Sequence, residues 1–442
     1  MELNDRKEIR PIRIKKNPVQ TVKVPGSKSI TNRALLLAVM GMGKSTLRDC
    51  LFSEDSRYFL QCVQDLGFET TVDEAAARIE VTGLGGEIPV REASVYVGSA
   101  GTAARFLAAY LACSEGRFYM DASEQMRRRP MEPLITALES IGARIECTER
   151  PGHFPMVITG HGILKDRVKV DIDQSSQFLS ALLIAAPLSG KELAIEVNGS
   201  HGMAYIDMTV RMMGQFGVEV NRIEDGEFVV PGGQRYEALE YQVEPDASAA
   251  CYFWALAAIH GISVTVPHLH FDSLQGDVAF ARLLSRMGCE VKDTEEGIRV
   301  TGPSNGILKG VVADMHSFSD QAITLAAIAP FADSPVEITG IGHIRHQESD
   351  RLAAMAENLW AMGIQAQERE DSIRIEPGTP RAAAIETHED HRLAMGFALT
   401  GTRAEGIVIK NPGCCKKTFE QYFQVLDQVT AAVEGKQMQE TG

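Results

Sequence analysis

The chain has 442 residues, 44% hydrophobic and 23% charged, which describes a globular protein of about two to four domains with ample core. Its formal net charge of −15 repels nucleic acid and anionic membrane, so any anion it binds must be held by local basic clusters. No apolar run approaches the roughly 20 residues of a membrane span, and the polar opening MELNDRKEIRPIRIKK lacks the apolar centre of a signal peptide. The eight cysteines, 50, 62, 113, 147, 251, 289, 414 and 415, form no CxxC pair and no regular framework, which predicts reduced thiols in a cytoplasmic protein.

In chain order, a first strand is predicted over Ile12–Val24. PGSKSITNRALLLAVMGMGKST follows, and it offers two phosphate-site readings. The tail, GMGKST, resembles the end of a P-loop, but the place of that motif's first Gly is taken by Ala38, and the segment follows a helical run, Ala34–Met40, rather than opening one. A Gly-rich helix stop is the better reading. The head places Lys28, Ser29 and Arg33 at a helix start, where cations and free backbone N–H groups suit an anion.

Two patterns then recur. Amphipathic helices ending in Gly and followed by alternating strands occur at CVQDLGFETTV, ALESIGARIEC, MMGQFGVEVNR, LLSRMGCEVKD and NLWAMGIQAQE, with turn glycines 67, 142, 217, 288 and 363. In phase with them, small polar or charged residues precede Ala/Leu-rich helices: SKSITNRALLLA, SAGTAARFLAAYLA, DQSSQFLSALLIAA, PDASAACYFWALAA, SFSDQAITLAAIA and HEDHRLAMGFALTG. Helices apolar on all faces belong inside a domain. Six units of roughly 73 residues predict two α/β lobes of three repeats each. The lobes are expected over 25–243 and over 11–24 plus 244–442, with the break near EYQVEPDAS. Each buried helix is expected to begin with an N-cap, and six such starts facing one cleft would trap anions.

Charged clusters complete the reading. MRRRP sets three arginines in a row, either a solvated loop or an anion grip. RHQESDR puts Glu348 and Arg351 on one helical face, with a surface ion pair as the plain alternative. EDHR opens the sixth buried helix with Arg392 against the positive dipole end, an arrangement that favours a bound anion. The pairs His343/His346 and His388/His391 match no metal motif, so no metal is expected.

PGSKSITNRALLLA, GSAGTAAR, RRRPM, SSQFLSALLIAAP, SLQGD at Ser273–Asp277, QESDRL, DHRLAM and KKTFEQYF occur in the order found in one family. With them the chain resembles the enolpyruvylshikimate-phosphate synthases over all but its first ten residues. The resemblance implies a fold of two lobes, each of three βαβαββ units with helices inside and sheets outside, an inside-out α/β barrel. It implies transfer of the enolpyruvyl group of phosphoenolpyruvate to the 5-hydroxyl of shikimate 3-phosphate, with release of phosphate. No cofactor is implied, and a cytoplasmic monomer is expected.

By resemblance, phosphoenolpyruvate falls to Lys28, Gly101, Arg129, Gln177, Arg351, Arg392 and Lys417. Shikimate 3-phosphate falls to Lys28, Ser29, Arg33, Ser175, Ser176, Gln177, Tyr205, Asp320 and Gln347. Glu348 stands at the proton-transfer carboxylate, Asp320 at the group that deprotonates the acceptor hydroxyl, and Lys28 completes the catalytic set. Four positions depart from the family pattern. Gly202-Met203-Ala204-Tyr205 replaces Ser-Lys-Pro-Tyr, His343 replaces a frequent Asn, Gln347 a frequent Lys, and Ser99 the usual Asn. These fit either variation among ordinary synthases or a paralogue acting on another phosphorylated cyclic alcohol. The related UDP-N-acetylglucosamine enolpyruvyltransferases carry a reactive loop Cys, and the matching stretch here, EQMRRRP, has none. A non-catalytic anion-binding protein would be expected to lack Glu348 or Asp320.

Overall fold

The computed structural model describes residues 5–15, 19–200, 202–223 and 226–435. Two compact units divide the chain: Gly26–Glu244, and Met1–Pro25 together with Pro245–Gly442.

Six open sheets carry the repeat, five of four strands and one of three. In Gly26–Glu244 the pattern is plain at Glu92–Tyr96, which runs parallel to Glu115–Asp121. Met156–His161 then adds antiparallel, followed by Arg144–Cys147. The parallel pair is joined through the buried helix Gly101–Ala112, because parallel neighbours need a crossover. The same order recurs at Arg167–Asp171, Leu193–Asn198, Glu227–Val230 and Asn221–Ile223. In the third sheet Glu240–Gln242 supplies the parallel strand to Met42–Arg48, so the end of the unit closes on its beginning.

The other unit repeats the scheme. Gln20–Thr21 runs parallel to Ser263–Thr265, with Gly297–Thr301 and Glu290–Thr294 following. Val312–Asp314, Val336–Thr339, Ser372–Ile375 and Ala366–Glu368 form the next sheet. The three-stranded sheet pairs Ala383–Ile385 with Ile407–Lys410, and Arg6–Ile9 completes it.

Each unit holds three apolar helices inside. Lys28–Met40, Gly101–Ala112 and Gln177–Ala185 are buried along nearly their whole length, as are Ala247–His260, Ala322–Ile328 and His391–Gly401. Sheet strands alternate buried and exposed positions outside them, as the period of 2 requires. Gly83 and Gly160 sit where a strand crosses a helix end: an added Cβ would lie 2.3 Å from Ala38 O and 2.1 Å from Ser114 O. The five turn glycines all adopt left-handed φ, from +76° to +122°, which is why Gly occupies them.

Several expectations need correction. GMGKST is neither loop nor helix end: Gly41 stops the helix, and Met42–Arg48 is a strand in which Lys44 pairs with Glu80 at 2.9 Å. The single strand expected over Ile12–Val24 is instead two short ones, Arg6–Ile9 and Gln20–Thr21, on different sheets. Side-chain N-caps occur at Ser27, Asp246 and Asp390, whereas Ala100, Ser176 and Gln321 make no such bond. Arg351 is no surface residue: it is 1% exposed.

Candidate active site

In Gly26–Glu244 the predicted residues gather around the start of the helix Gly101–Ala112. Lys28, the first residue of its helix, lies 3.5 Å from the buried Asp55 carboxylate. Ser99 donates to the other oxygen of Asp55 at 3.3 Å. Two residues on, Gly101 underlies two arginines: a Cβ there would be 2.7 Å from Arg129 Nη1 and 2.9 Å from Arg105 Nη1. Thr102 meets the Gln177 amide at 3.4 Å. Of the three arginines in MRRRP, Arg127 is engaged by Asp121 and Glu149 and Arg128 by Glu124. Arg129 has no carboxylate within ion-pair distance among the described residues.

Arg33 is set deeper. Its Nε donates to Thr209 Oγ1 at 2.8 Å, its Nη1 to Ser29 O at 3.0 Å and its Nη2 to Tyr205 O at 3.3 Å. Its guanidinium also lies over the Phe106 ring. Burial pushes it down to about 10, so it stays cationic at neutral pH, and no carboxylate lies within ion-pair distance among the described residues. Ser176 is buried and Ser175 accepts from the Gln177 N–H, which fixes the start of the helix Gln177–Ala185. Tyr205 enters through its backbone carbonyl, on the helix Met203–Gln215. Gly202 caps that helix at φ +66°, where a Cβ would stand 2.5 Å from Ser176 Oγ. Restoring the family's serine, Gly202→Ser, is expected to destabilise by about 1 kcal/mol or more through backbone strain and crowding. A thermal melt checks this; an unchanged Tm would contradict it.

In the other unit Arg351 is a hub. Its Nε donates to Asp390 at 2.7 Å, Nη1 to Asp320 at 2.9 Å and to the Gln347 amide oxygen, and Nη2 to Glu348 at 2.8 Å. Burial opposes its charge, yet Asp390, Glu348 and Asp320 together hold its pKa above the ordinary arginine value. Arg392 Nη2 reaches the second Asp320 oxygen at 2.8 Å, and Lys417 Nζ lies 3.5 Å from Glu348. The predicted cations Arg351, Arg392 and Lys417 and carboxylates Asp320 and Glu348 thus form one network. Gln347 joins it as an acceptor toward Arg351. His343 lies beside it, bonded to Ser319 at 2.7 Å and pushed down to about 4, chiefly by burial and then by His316, so it is neutral at pH 7.

Sequence reasoning missed Asp55, Arg105, Thr102 and Asp390. Each was embedded in a recognised stretch, but its role depends on partners distant in the chain, as with Asp55 and Ser99. The Asp390 carboxylate could have been suspected, since it caps the helix that begins with His391 and Arg392.

Repeats of this kind, with anion-receptive helix starts, define the enolpyruvyl transferase class. The solved structure of EPSP synthase from Acinetobacter baumannii superposes with a TM-score of 0.80 at 26% identity, covering 96% of this chain and 98% of that one. The enolpyruvyl transferase NikO from Streptomyces tendae shares the fold, with a TM-score of 0.71 at 16% identity over 94% of this chain and 96% of that one. The family model for EPSP synthase (3-phosphoshikimate 1-carboxyvinyltransferase) matches residues 12–426. A 3-phosphoshikimate 1-carboxyvinyltransferase of Nostoc punctiforme is 46% identical, covering 92% of this chain and 96% of its own. One from Vibrio atlanticus is 41% identical, covering 92% and 95%. The chain belongs to the EPSP synthase family.

Proposed function

We propose that this enzyme transfers the enolpyruvyl group of phosphoenolpyruvate to the 5-hydroxyl of shikimate 3-phosphate, with Asp320 and Glu348 as its proton-transfer groups. The observation that carries the assignment is the single guanidinium, Arg351, that holds both carboxylates at 2.8–2.9 Å. Asp320 takes the hydroxyl proton as the acceptor oxygen bonds to C2 of phosphoenolpyruvate, and Glu348 delivers a proton to the methylene carbon. The resulting tetrahedral ketal phosphate then loses a methyl proton and its C2–O bond to phosphate, which restores the double bond. Addition and elimination exchange only protons and C–O bonds, so neither a metal nor a redox cofactor enters.

Lys28, Gly101, Arg129 and Gln177 from one unit, and Arg351, Arg392 and Lys417 from the other, are assigned to phosphoenolpyruvate. Arg129 supports this by lacking a carboxylate partner among the described residues. Ser29, Arg33, Ser175, Ser176 and Tyr205 are assigned to the acceptor with Lys28, Gln177, Asp320 and Gln347. A buried cation without a carboxylate, such as Arg33, is costly unless an anion compensates it, which favours a phosphate close by. No described helix is long and apolar enough to cross a membrane, and the enzyme is proposed to work as a cytoplasmic monomer.

The test is kcat/KM with shikimate 3-phosphate for wild type and Gln347→Lys. Robust wild-type turnover is expected. The variant should stay within about tenfold of it, since Arg351 keeps its three carboxylates when the Gln347 bond is lost. A wild type that turns over another phosphorylated cyclitol but scarcely this one would establish the paralogue reading instead.

A further inference from the structure

The SLQGD segment, Ser273–Asp277, has no part in the mechanism above, yet it packs under the network that performs it. Gln275 clamps the start of the helix Ala247–His260, donating to Pro245 O at 2.8 Å and accepting from Ala247 N at 2.9 Å. Two residues on, Asp277 is 7% exposed. Ser248 donates its hydroxyl to Asp277 Oδ2 at 2.7 Å, and the same hydroxyl oxygen lies 3.4 Å from Arg392 Nη2. That Nη2 is the nitrogen that also bonds Asp320. A line therefore runs from Asp277 through Ser248 and Arg392 to the carboxylate assigned as the base.

We propose that Asp277 is a positioning residue for the transfer reaction, holding Arg392 against Asp320 through Ser248 and keeping a negative charge behind that base. This rests on the functional reading above. A serine alone would suffice to hold the arginine; a buried carboxylate behind it adds a charge. Arg392 is a cation shared between Asp320 and incoming substrate, and the charge behind it limits how far it follows the substrate away from the base.

The groups around Asp277 support a charge that is functional rather than stabilising. Asp246, which caps the helix Ala247–His260, and Asp320 both oppose its ionisation, while Arg392 and the Ser248 hydroxyl favour it. Cys251 reaches only its backbone carbonyl. On the helix that follows, Arg282 stacks over Phe271 and Arg286 bonds Val312 O, so neither compensates it. Burial dominates and raises Asp277 to about 6. An acid whose folded pKa lies above its unfolded one loses stability as pH rises between the two, so at pH 7 ionised Asp277 burdens the fold.

Asp277→Asn keeps an acceptor for Ser248 and removes the charge. Its kcat is expected to fall on the order of tenfold, a fraction of the roughly 10²–10⁴ that a general base supplies. The wild-type rate should show an inflection near pH 6 that the variant lacks, while the variant's Tm at pH 7 should be no lower than wild type. An unchanged kcat and pH profile, or a lower Tm at pH 7, would overturn the role. Should that variant be insoluble, Ser248→Ala serves: a loss of kcat is expected, and an unchanged kcat overturns the role. A wild type without turnover would overturn the functional reading and this role with it.

Discussion

Replacing Arg351 with methionine is expected to lower kcat/KM by at least on the order of 10³-fold and to cost roughly 3–5 kcal/mol of stability. The side chain is buried and meets Asp390, Asp320 and Glu348 through three different nitrogens. Methionine fills much of the volume but leaves three carboxylates facing one another with Arg392 and Lys417 alone to offset them. The sign of the pH effect follows. Protonation relieves uncompensated buried carboxylates, so the variant's folded state binds more protons than its unfolded chain, and its stability falls as pH rises. Its Tm deficit against wild type should therefore be larger at pH 8 than at pH 5. A deficit that shrinks with rising pH, or turnover near wild type, would show that Arg351 neither gathers the carboxylates nor serves the reaction.

Lys28→Ala is expected to cost on the order of 10²-fold or more in kcat/KM, and Lys44→Ala almost nothing. Both lysines lie in one 22-residue stretch, PGSKSITNRALLLAVMGMGKST, and both have a carboxylate partner. Their surroundings differ. Lys28 starts a buried helix and faces Asp55, whose side chain is 4% exposed and is also held by Ser99. Lys44 stands on a strand with its side chain 63% exposed, paired with Glu80 across the sheet, and such pairs contribute roughly 0–1 kcal/mol. Steady-state kinetics on the two variants decides the matter. Comparable losses from both would return GMGKST to consideration as a phosphate site.

The repeat was legible because it is written in local physics. A left-handed turn demands glycine, buried helices demand small apolar residues on every face, and half-buried strands demand alternation; Gly67, Gly142, Gly217, Gly288 and Gly363 meet the first demand at φ between +76° and +122°. Those constraints act within a dozen residues, so one sequence displays them. The long motifs SKSITNR, DQSS, QESDR and EDHR likewise marked where anion-receptive helix starts would fall.

What the local pattern could not decide was which charges find each other. RHQESDR reads equally well as a surface ion pair, and only packing makes Arg351 a buried hub joined to Asp320 and to Asp390, 39 residues on. Arg33 meets Thr209 across 176 residues, and Arg6–Ile9 completes a sheet with Ile407–Lys410. An ion pair's partner, burial and therefore strength depend on the dielectric and geometry that the folded chain creates around it, which no local spacing records.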